Sequence, residues 1–221
     1  MNWSYDGNTG PEHWSNVCTL ARTGQRQSPI DLRDAEPGGV GDFSLDYRSV
    51  RVKVRDTGRN YRFDCGKGCR VRIAGSEFQL VEFHFHSPSE HKVDGNGQPI
   101  EMHLMHQNTA GRIAVVAVFF SGRAGENCHL KKAWQDLPER FGDRVLSEFH
   151  IDPSKFLPAD HVRYVYPGSI TTPPCTEGVT WVVFKTPVFA GVGQIKRLQL
   201  LRPHSCRPLQ PLNGREIRLG R

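Results

Sequence analysis

Closely spaced histidines mark the part of this chain that could carry chemistry. His84 and His86 each follow a phenylalanine, Phe83 and Phe85. Because side chains at i and i+2 of a β-strand point to the same face, we expect the two imidazoles on one face and the two phenyl rings on the other. A single histidine pair can be structural, but two on one strand face between aromatic residues are more typical of a metal site.

The next histidine-containing segment offers a third ligand. His103 and His106 are three residues apart, so on a strand they face opposite sides and only one of them can join the first pair. Three nitrogen ligands leave the fourth tetrahedral position open for water, as in catalytic zinc sites, whereas structural zinc is held by four protein ligands. Three neutral imidazoles also leave the full dication charge on the metal, which favours attack by a metal hydroxide on a small electrophile.

Short β-rich runs separated by turn signals must position these residues. Signals such as Thr57-Gly58, Ala74-Gly75 and Pro167-Gly168 recur along the chain. The run 113–120 has little polar alternation, which predicts a central strand buried on both faces. One helix is expected over residues 128–137, before Pro138. Strands are expected at 50–54, 69–73, 78–86, 101–107, 113–120 and 179–184.

No linker, repeat or low-complexity segment divides the 221 residues. The sequence therefore predicts one domain over residues 1–221. Its class is α+β but predominantly β, with a large central mixed, mostly antiparallel, twisted sheet and short peripheral helices.

The charge and hydropathy patterns argue against nucleic-acid and membrane partners. The formal net charge is +6, and part of the excess lies in the arginine-rich stretch 196–221. Prolines interrupt this stretch and no nucleic-acid-binding signature accompanies it, so we interpret it as a solvated surface. The longest apolar run, 113–120, is far shorter than the ~20 residues of a membrane helix. No signal peptide is visible at residues 1–6.

Six cysteines are scattered along the chain without a Cys-x-x-Cys pair. Their spacing gives little support to a thiolate zinc site. An even, scattered set favours disulfides in an oxidising compartment, hence a periplasmic or secreted protein. The alternative is six buried free thiols in a cytosolic protein.

Eight motifs in this order make the chain resemble the alpha-class carbonic anhydrases, closest to the bacterial branch. They run from end to end, so the resemblance covers essentially the whole chain. The motifs are Gly-Pro-Glu-His-Trp at 10–14, Arg-Gln-Ser-Pro-Ile at 26–30, Glu-Phe-His-Phe-His at 82–86, Ser-Glu-His at 89–91, Glu-Met-His-Leu-Met-His at 101–106, Tyr-Pro-Gly-Ser-Ile-Thr-Thr-Pro-Pro at 166–174, Glu to Trp at 177–181 and Arg-Pro-Leu-Gln-Pro-Leu-Asn at 207–213.

The resemblance implies reversible hydration of carbon dioxide to bicarbonate and a proton by zinc-hydroxide attack. It implies one Zn²⁺ per chain on His84, His86 and His103, and structural roles for His91 and His106. It further implies inhibition by aromatic sulfonamides. Bacterial relatives are often dimers, so a homodimer is an open expectation.

The resemblance also assigns the residues around the metal. The hydroxyl of Thr171 would accept a hydrogen bond from the zinc hydroxide and donate one to Glu90, which orients the nucleophile. Thr172 would help to bind bicarbonate. Glu101 would orient the third ligand and Glu82 would lie behind His84, where the family commonly has glutamine. The apolar substrate slot would be lined by Ile170, Val115, Met105, Val179 and Trp181.

Two further expectations come from the resemblance. Arg59 stands where fast members carry a proton-shuttling histidine, and an arginine stays protonated and cannot relay protons. Cys18 and Cys175 match a disulfide pair of secreted and periplasmic members. Pairs Cys65–Cys69 and Cys128–Cys206 are guesses for the remaining thiols.

Two other readings compete with a carbonic anhydrase. His84, His86, Glu90 and Gly97 mimic the first motif of a cupin, in which the glutamate would bind iron or manganese, but no second cupin motif follows. A binding module that has lost catalysis is a rival from another class. It is disfavoured because the three histidines, the threonine and the glutamate are all present.

Overall fold

The computed structural model describes residues 2–135, 137 and 144–221, with the side chains of 144–147 left aside. The described residues form short helices around many strands. The helices are α1 (Leu20–Thr23), α2 (Cys128–Trp134) and α3 (Val192–Leu201), with 3₁₀ turns at Gly7–Thr9, Pro11–Asn16 and Pro153–Phe156. The strands are β1 (Asp31–Leu32), β2 (Glu36–Pro37), β3 (Phe43–Asp46), β4 (Val50–Asp56), β5 (Tyr61–Cys65), β6 (Arg70–Ile73), β7 (Ser76–His86), β8 (Lys92–Val93), β9 (Ile100–Gln107), β10 (Ile113–Arg123), β11 (Arg144–Ile151), β12 (Arg163–Ser169), β13 (Glu177–Phe184), β14 (Val188–Gly191) and β15 (Arg218–Gly220).

Thirteen of these strands form one mixed sheet, in the order β11-β4-β5-β7-β9-β10-β13-β12-β15-β2. Strand β14 pairs with β10, while β6 joins β3 to β7. Most neighbours are antiparallel, but β10 runs parallel to β13 and to β14. The predicted class, a single predominantly β domain with short peripheral helices, is confirmed.

Strand β10 lies in the middle of the sheet and is buried on both faces, as its apolar run predicts. Val116 and Val118 belong to the larger core, which β7, β9 and the helices share. Val115 and Ala117 point the other way, into a second core with Trp181. The sheet thus separates two cores, and β10 holds the positions of β9 and β13 on either side of it.

The helices differ from the expectation in two ways. Asn127 caps the start of helix α2, because its side chain accepts from the backbone N–H groups of His129 and Leu130, but the helix ends at Trp134 instead of residue 137. Pro138 lies outside the described residues. Helix α3 was not predicted from the sequence.

The arginine-rich C-terminal stretch is only partly a solvated surface. Arg202 is buried and pairs with Asp56 at 2.5 Å, while Arg207 donates to the side chain of Gln27 and the carbonyl of Ser28. Arg215 is also buried and donates to backbone carbonyls. The interpretation was wrong for these three residues, because each finds acceptors on segments distant in the sequence. Across the described residues, no helix is long and apolar enough to cross a membrane.

All six cysteines are free thiols in the structure. Cys18 and Cys175 are buried in one small cluster with Trp14, so the pair implied by the resemblance is brought together but not bonded. Cys128 is exposed at the start of α2. The three disulfides therefore stay predictions.

Candidate metal centre

The pairing of β7 with β9 brings the histidines of two strands together. The two strands are antiparallel neighbours, and His84 lies directly opposite His103. Residues opposite each other in such a pair have side chains on the same face. His86, two residues further along β7, shares that face.

A β-bulge in β7 decides which face this is. The register shifts between Leu80 and Glu82, so Val81 has no partner on β9. The larger core contains Phe78 and Leu80 from before the shift, and Phe83 and Phe85 from after it. A bulge inserts one extra residue, so it changes which alternate positions face the core. As a consequence, the histidines point away from that core.

Each of the three imidazoles has one nitrogen held by a hydrogen-bond partner. His84 Nδ1 is 3.0 Å from the Glu82 carboxylate, and His103 Nε2 is 2.8 Å from Glu101. His86 Nδ1 donates to the carbonyl oxygen of Ser205. These contacts leave Nε2 of His84, Nε2 of His86 and Nδ1 of His103 free to bind a ligand.

The free nitrogens converge. One ligand atom from each of His84, His86 and His103 lies within 4.8 Å of the others. His86 Nε2 is buried without a hydrogen-bond partner. A buried polar atom without a partner is costly, so this nitrogen indicates that another group belongs there. The three residues fit a tetrahedral metal with one open position.

The protonation of the site suits metal binding. Burial lowers the pKa of His86, and burial lowers the pKa of His103 to about 3. Both rings are therefore neutral at pH 7 and their lone pairs are available. Burial also lowers the pKa of His84, but the Glu82 carboxylate beside it raises that pKa more, and the net shift is upward.

Behind the histidines, Glu101 is the centre of a buried hydrogen-bond network. One carboxylate oxygen accepts from His103 and from His91 Nδ1 at 2.6 Å, and the other accepts two backbone N–H groups. His91 Nε2 lies 2.6 Å from the hydroxyl of Tyr166. Both nitrogens of His91 are thus used, so it holds Glu101 in place and offers no metal ligand.

His106 lies on the opposite face of β9 from His103, as the spacing predicts. Its Nε2 is 2.7 Å from the hydroxyl of Tyr47. Burial lowers the pKa of His106 to about 3. The residue is therefore a neutral part of the larger core.

Glu90 is buried next to the converging nitrogens. Its Oε1 accepts the backbone N–H of Arg207 at 2.8 Å. Its Oε2 has no hydrogen-bond partner and is 3.6 Å from His86 Nε2 and 3.9 Å from His103 Nδ1. Glu90 is not a member of the metal-ligating group, which argues against the cupin interpretation. The expected hydrogen bond from Thr171 is not among the contacts of the described residues.

A cavity of about 230 Å³ opens over His84 and His103. Thr171 and Thr172 line this cavity, together with three of the five residues expected in the apolar slot. The other two, Val115 and Val179, lie buried in the second core with Trp181. The slot residues that line the cavity are Met105, Ile170 and Trp181.

Comparison with known proteins decides the family. A family model described as eukaryotic-type carbonic anhydrase matches residues 9–221. This chain belongs to the eukaryotic-type, or alpha-class, carbonic anhydrase family.

Individual relatives agree with the family match over nearly the whole chain. A carbonic anhydrase of Nostoc sp. is 38% identical, covering 98% of this chain and 85% of that protein. The alpha-carbonic anhydrase of Thermovibrio ammonificans, solved in complex with the inhibitor sulfanilamide, is 39% identical with a TM-score of 0.92, covering 98% of both chains. That of Photobacterium profundum is 34% identical with a TM-score of 0.91, covering 98% of this chain and 99% of the other. The chain is thus an enzyme of the carbonic anhydrase class.

The mouth of this carbonic anhydrase cavity includes residues that the sequence reasoning missed. They are Trp3, Thr57, Asn60 and Arg62. Arg59, expected at the position of a shuttle, does line the cavity; its Nε donates to the carbonyl of Trp3 at 2.9 Å and its guanidinium lies 4.2 Å from the centre of the Trp3 ring. The sequence does hold a pattern that could have identified Arg62, because it is the exposed residue between the two buried aromatic residues of β5.

Proposed function

We propose that this chain binds one zinc ion through His84, His86 and His103 and catalyses the reversible hydration of carbon dioxide to bicarbonate and a proton. The observation that supports this most is the convergence of three otherwise unpartnered imidazole nitrogens below the cavity. The ion supplies a nucleophile at neutral pH, since carbonic anhydrase zinc lowers the pKa of a water to about 7.

The protein residues hold and orient the reactants. Glu82, Glu101 and the carbonyl of Ser205 fix the three rings, which keeps the donor nitrogens in position. The free oxygen of Glu90 can only accept a hydrogen bond, and it is the acceptor we assign to the hydroxyl of Thr171. With its own proton committed, that hydroxyl accepts from the attacking oxygen and so directs a lone pair toward the substrate.

The cavity wall completes the site. Trp181, Met105 and Ile170 give carbon dioxide an apolar surface, and Thr172 offers a hydroxyl to bicarbonate. Arg59 stays protonated and cannot take the proton that each hydration cycle releases. The proton therefore leaves with a buffer molecule, and turnover is limited by that step.

A hydration assay with metal analysis tests the proposal. The purified protein should contain one zinc per chain and accelerate carbon dioxide hydration in a stopped-flow indicator assay. A chelator should abolish the activity, added zinc should restore it, and an aromatic sulfonamide should inhibit it. Hydration that survives complete zinc removal, or its absence in fully zinc-loaded protein, would contradict the proposed function.

A further inference from the structure

We propose that Arg59 and Arg62 recruit a dianionic phosphate-type base as the proton acceptor of this enzyme. The inference rests on the proposed function, because it names the chemical class of the second substrate of that reaction. It starts from the two arginines at the cavity mouth, which place fixed positive charge where a proton acceptor must approach.

Arg59 is held at the mouth by its ring and backbone contacts to Trp3. Those contacts use Nε and one face of the guanidinium. Within the part of the chain that the structure describes, its terminal amino groups have no hydrogen-bond acceptor. An arginine so fixed presents two N–H donors in a planar fork, which matches the oxygens of phosphate.

Arg62 adds a second charge whose neutralisation is incomplete. Its Nε contacts Asp64 at 2.7 Å, but the same carboxylate is 2.5 Å from Arg55. One carboxylate shared by two guanidiniums leaves one positive charge over. Glu82 is the one acidic side chain among the residues that line the cavity, and its carboxylate is occupied with His84.

This charge pattern distinguishes between acceptors that titrate near neutral pH. Hydrogen phosphate, HPO₄²⁻, takes the proton and becomes H₂PO₄⁻, so its charge falls from −2 to −1 and its attraction to the arginines weakens as the product leaves. Imidazole arrives neutral and becomes a cation beside two cations. The arginines therefore attract phosphate as the base and hold it less strongly as the acid. They do not attract neutral imidazole, and they repel the imidazolium cation that it forms.

The test compares the two buffers at saturating carbon dioxide, fixed pH and fixed ionic strength. Turnover should rise with either buffer, but half-saturation should come at about tenfold less phosphate than imidazole, the size expected of two charge-assisted contacts. In the double variant Arg59→Gln/Arg62→Gln, the ratio of the two half-saturation concentrations should shrink to about twofold. Arg123→Gln removes an exposed arginine outside the cavity and should behave like the unmodified enzyme.

Two further measurements separate charge from structure. Arg59→Lys keeps the charge but loses the fork and the stacking on Trp3, so its phosphate preference should lie between those of the unmodified enzyme and the double variant. Phosphate binding to the zinc enzyme, followed by ³¹P NMR, should weaken in the double variant and not in Arg123→Gln. Equal half-saturation for phosphate and imidazole in an active enzyme, or unchanged phosphate binding in the double variant, overturns this inference alone. Absence of hydration in every buffer overturns the proposed function with it.

Discussion

The free oxygen of Glu90 is the residue-scale feature on which the proposed chemistry depends most. Glu90 is held on one side by the backbone of Arg207, so its second oxygen is fixed rather than mobile. In the proposed mechanism, this fixed acceptor commits the proton of Thr171 to one direction. The orientation of the nucleophile then depends on a single hydroxyl.

Replacing that hydroxyl should separate metal binding from catalysis. Thr171→Ala should keep one zinc and lose about 10²-fold in kcat/KM for carbon dioxide hydration, the usual cost of one positioned hydrogen bond in a transition state. Sulfonamide affinity should fall with it. Thr176→Ala, an exposed threonine of the same loop, is the matched control. Unchanged kcat/KM in fully zinc-loaded Thr171→Ala would remove Thr171 from the mechanism.

His106 makes a residue-scale prediction about pH. Its folded pKa, about 3, lies below the value of about 6.5 for an unfolded histidine. The unfolded chain therefore binds the proton first, and the stability that neutral His106 contributes above about pH 6.5 is lost as the pH falls toward 3.

Urea unfolding of the zinc-loaded protein at pH 7 and pH 5 measures this loss. The free energy of unfolding should fall about 2 kcal/mol less between these pH values in His106→Gln than in the unmodified chain. His150→Gln, an exposed histidine of β11, should show the same fall as the unmodified chain. An equal fall in His106→Gln would mean that His106 is not buried as a neutral ring.

At the scale of elements, strand parity was readable from the sequence. The alternation around His84, and the three-residue separation of His103 from His106, place the right rings on the right faces. The turn-signal rule, in contrast, failed at Pro167-Gly168, which we interpreted as a turn but which lies inside β12.

The reason is tertiary. Strand β15 pairs with β12 only as far as Val165, so beyond it the missing N–H of Pro167 costs no bond on that side. Gly168 is needed for close packing, because a Cβ there would lie 2.2 Å from Ser28 Oγ. Neither fact can be read from a proline and a glycine alone.

Helix α3 was missed for a related reason. Gly191 caps its start and donates its backbone N–H to the side chain of Gln194, while Ile195, Leu198 and Leu201 are buried. These apolar positions lie in a stretch whose positive charges dominated the interpretation. The buried arginines that follow, Arg202, Arg207 and Arg215, bind acceptors that lie far away in the sequence. Only the folded chain brings these groups close together.

At the scale of the whole molecule, Cys18 and Cys175 lie where the N-terminal segment packs against the loop that carries Thr171. Cys18 donates to the carbonyl of Pro174 at 2.6 Å, and burial raises the pKa of Cys175 to about 12. The thiols are thus sheltered and adjacent. In a periplasmic or secreted setting, which we propose for this protein, we expect them to form a disulfide.

Such a crosslink would close a very long loop and contribute about 5 kcal/mol by chain entropy. In protein exported to an oxidising compartment, reductant should lower the melting temperature by about 10 °C or more. Cys18→Ser/Cys175→Ser should lose most of this sensitivity to reductant, whereas Cys128→Ser, at an exposed thiol, should keep most of it. Peptide mapping that finds both thiols free in non-reduced exported protein would refute the pairing.

The bulge in β7 has a consequence for how this chain can vary in length. Val81 is the extra residue, 38% exposed and without a partner on β9, so the strand on either side of it already alternates correctly toward the core. Removing Val81 would leave Leu80, Phe83 and Phe85 on the face they now occupy, with the histidines opposite. Deletion of one residue at this position in an aligned relative would thus shorten the strand and leave the metal-binding residues in place. Deletion of one residue between Phe83 and His86 would instead turn a ligand histidine toward the core.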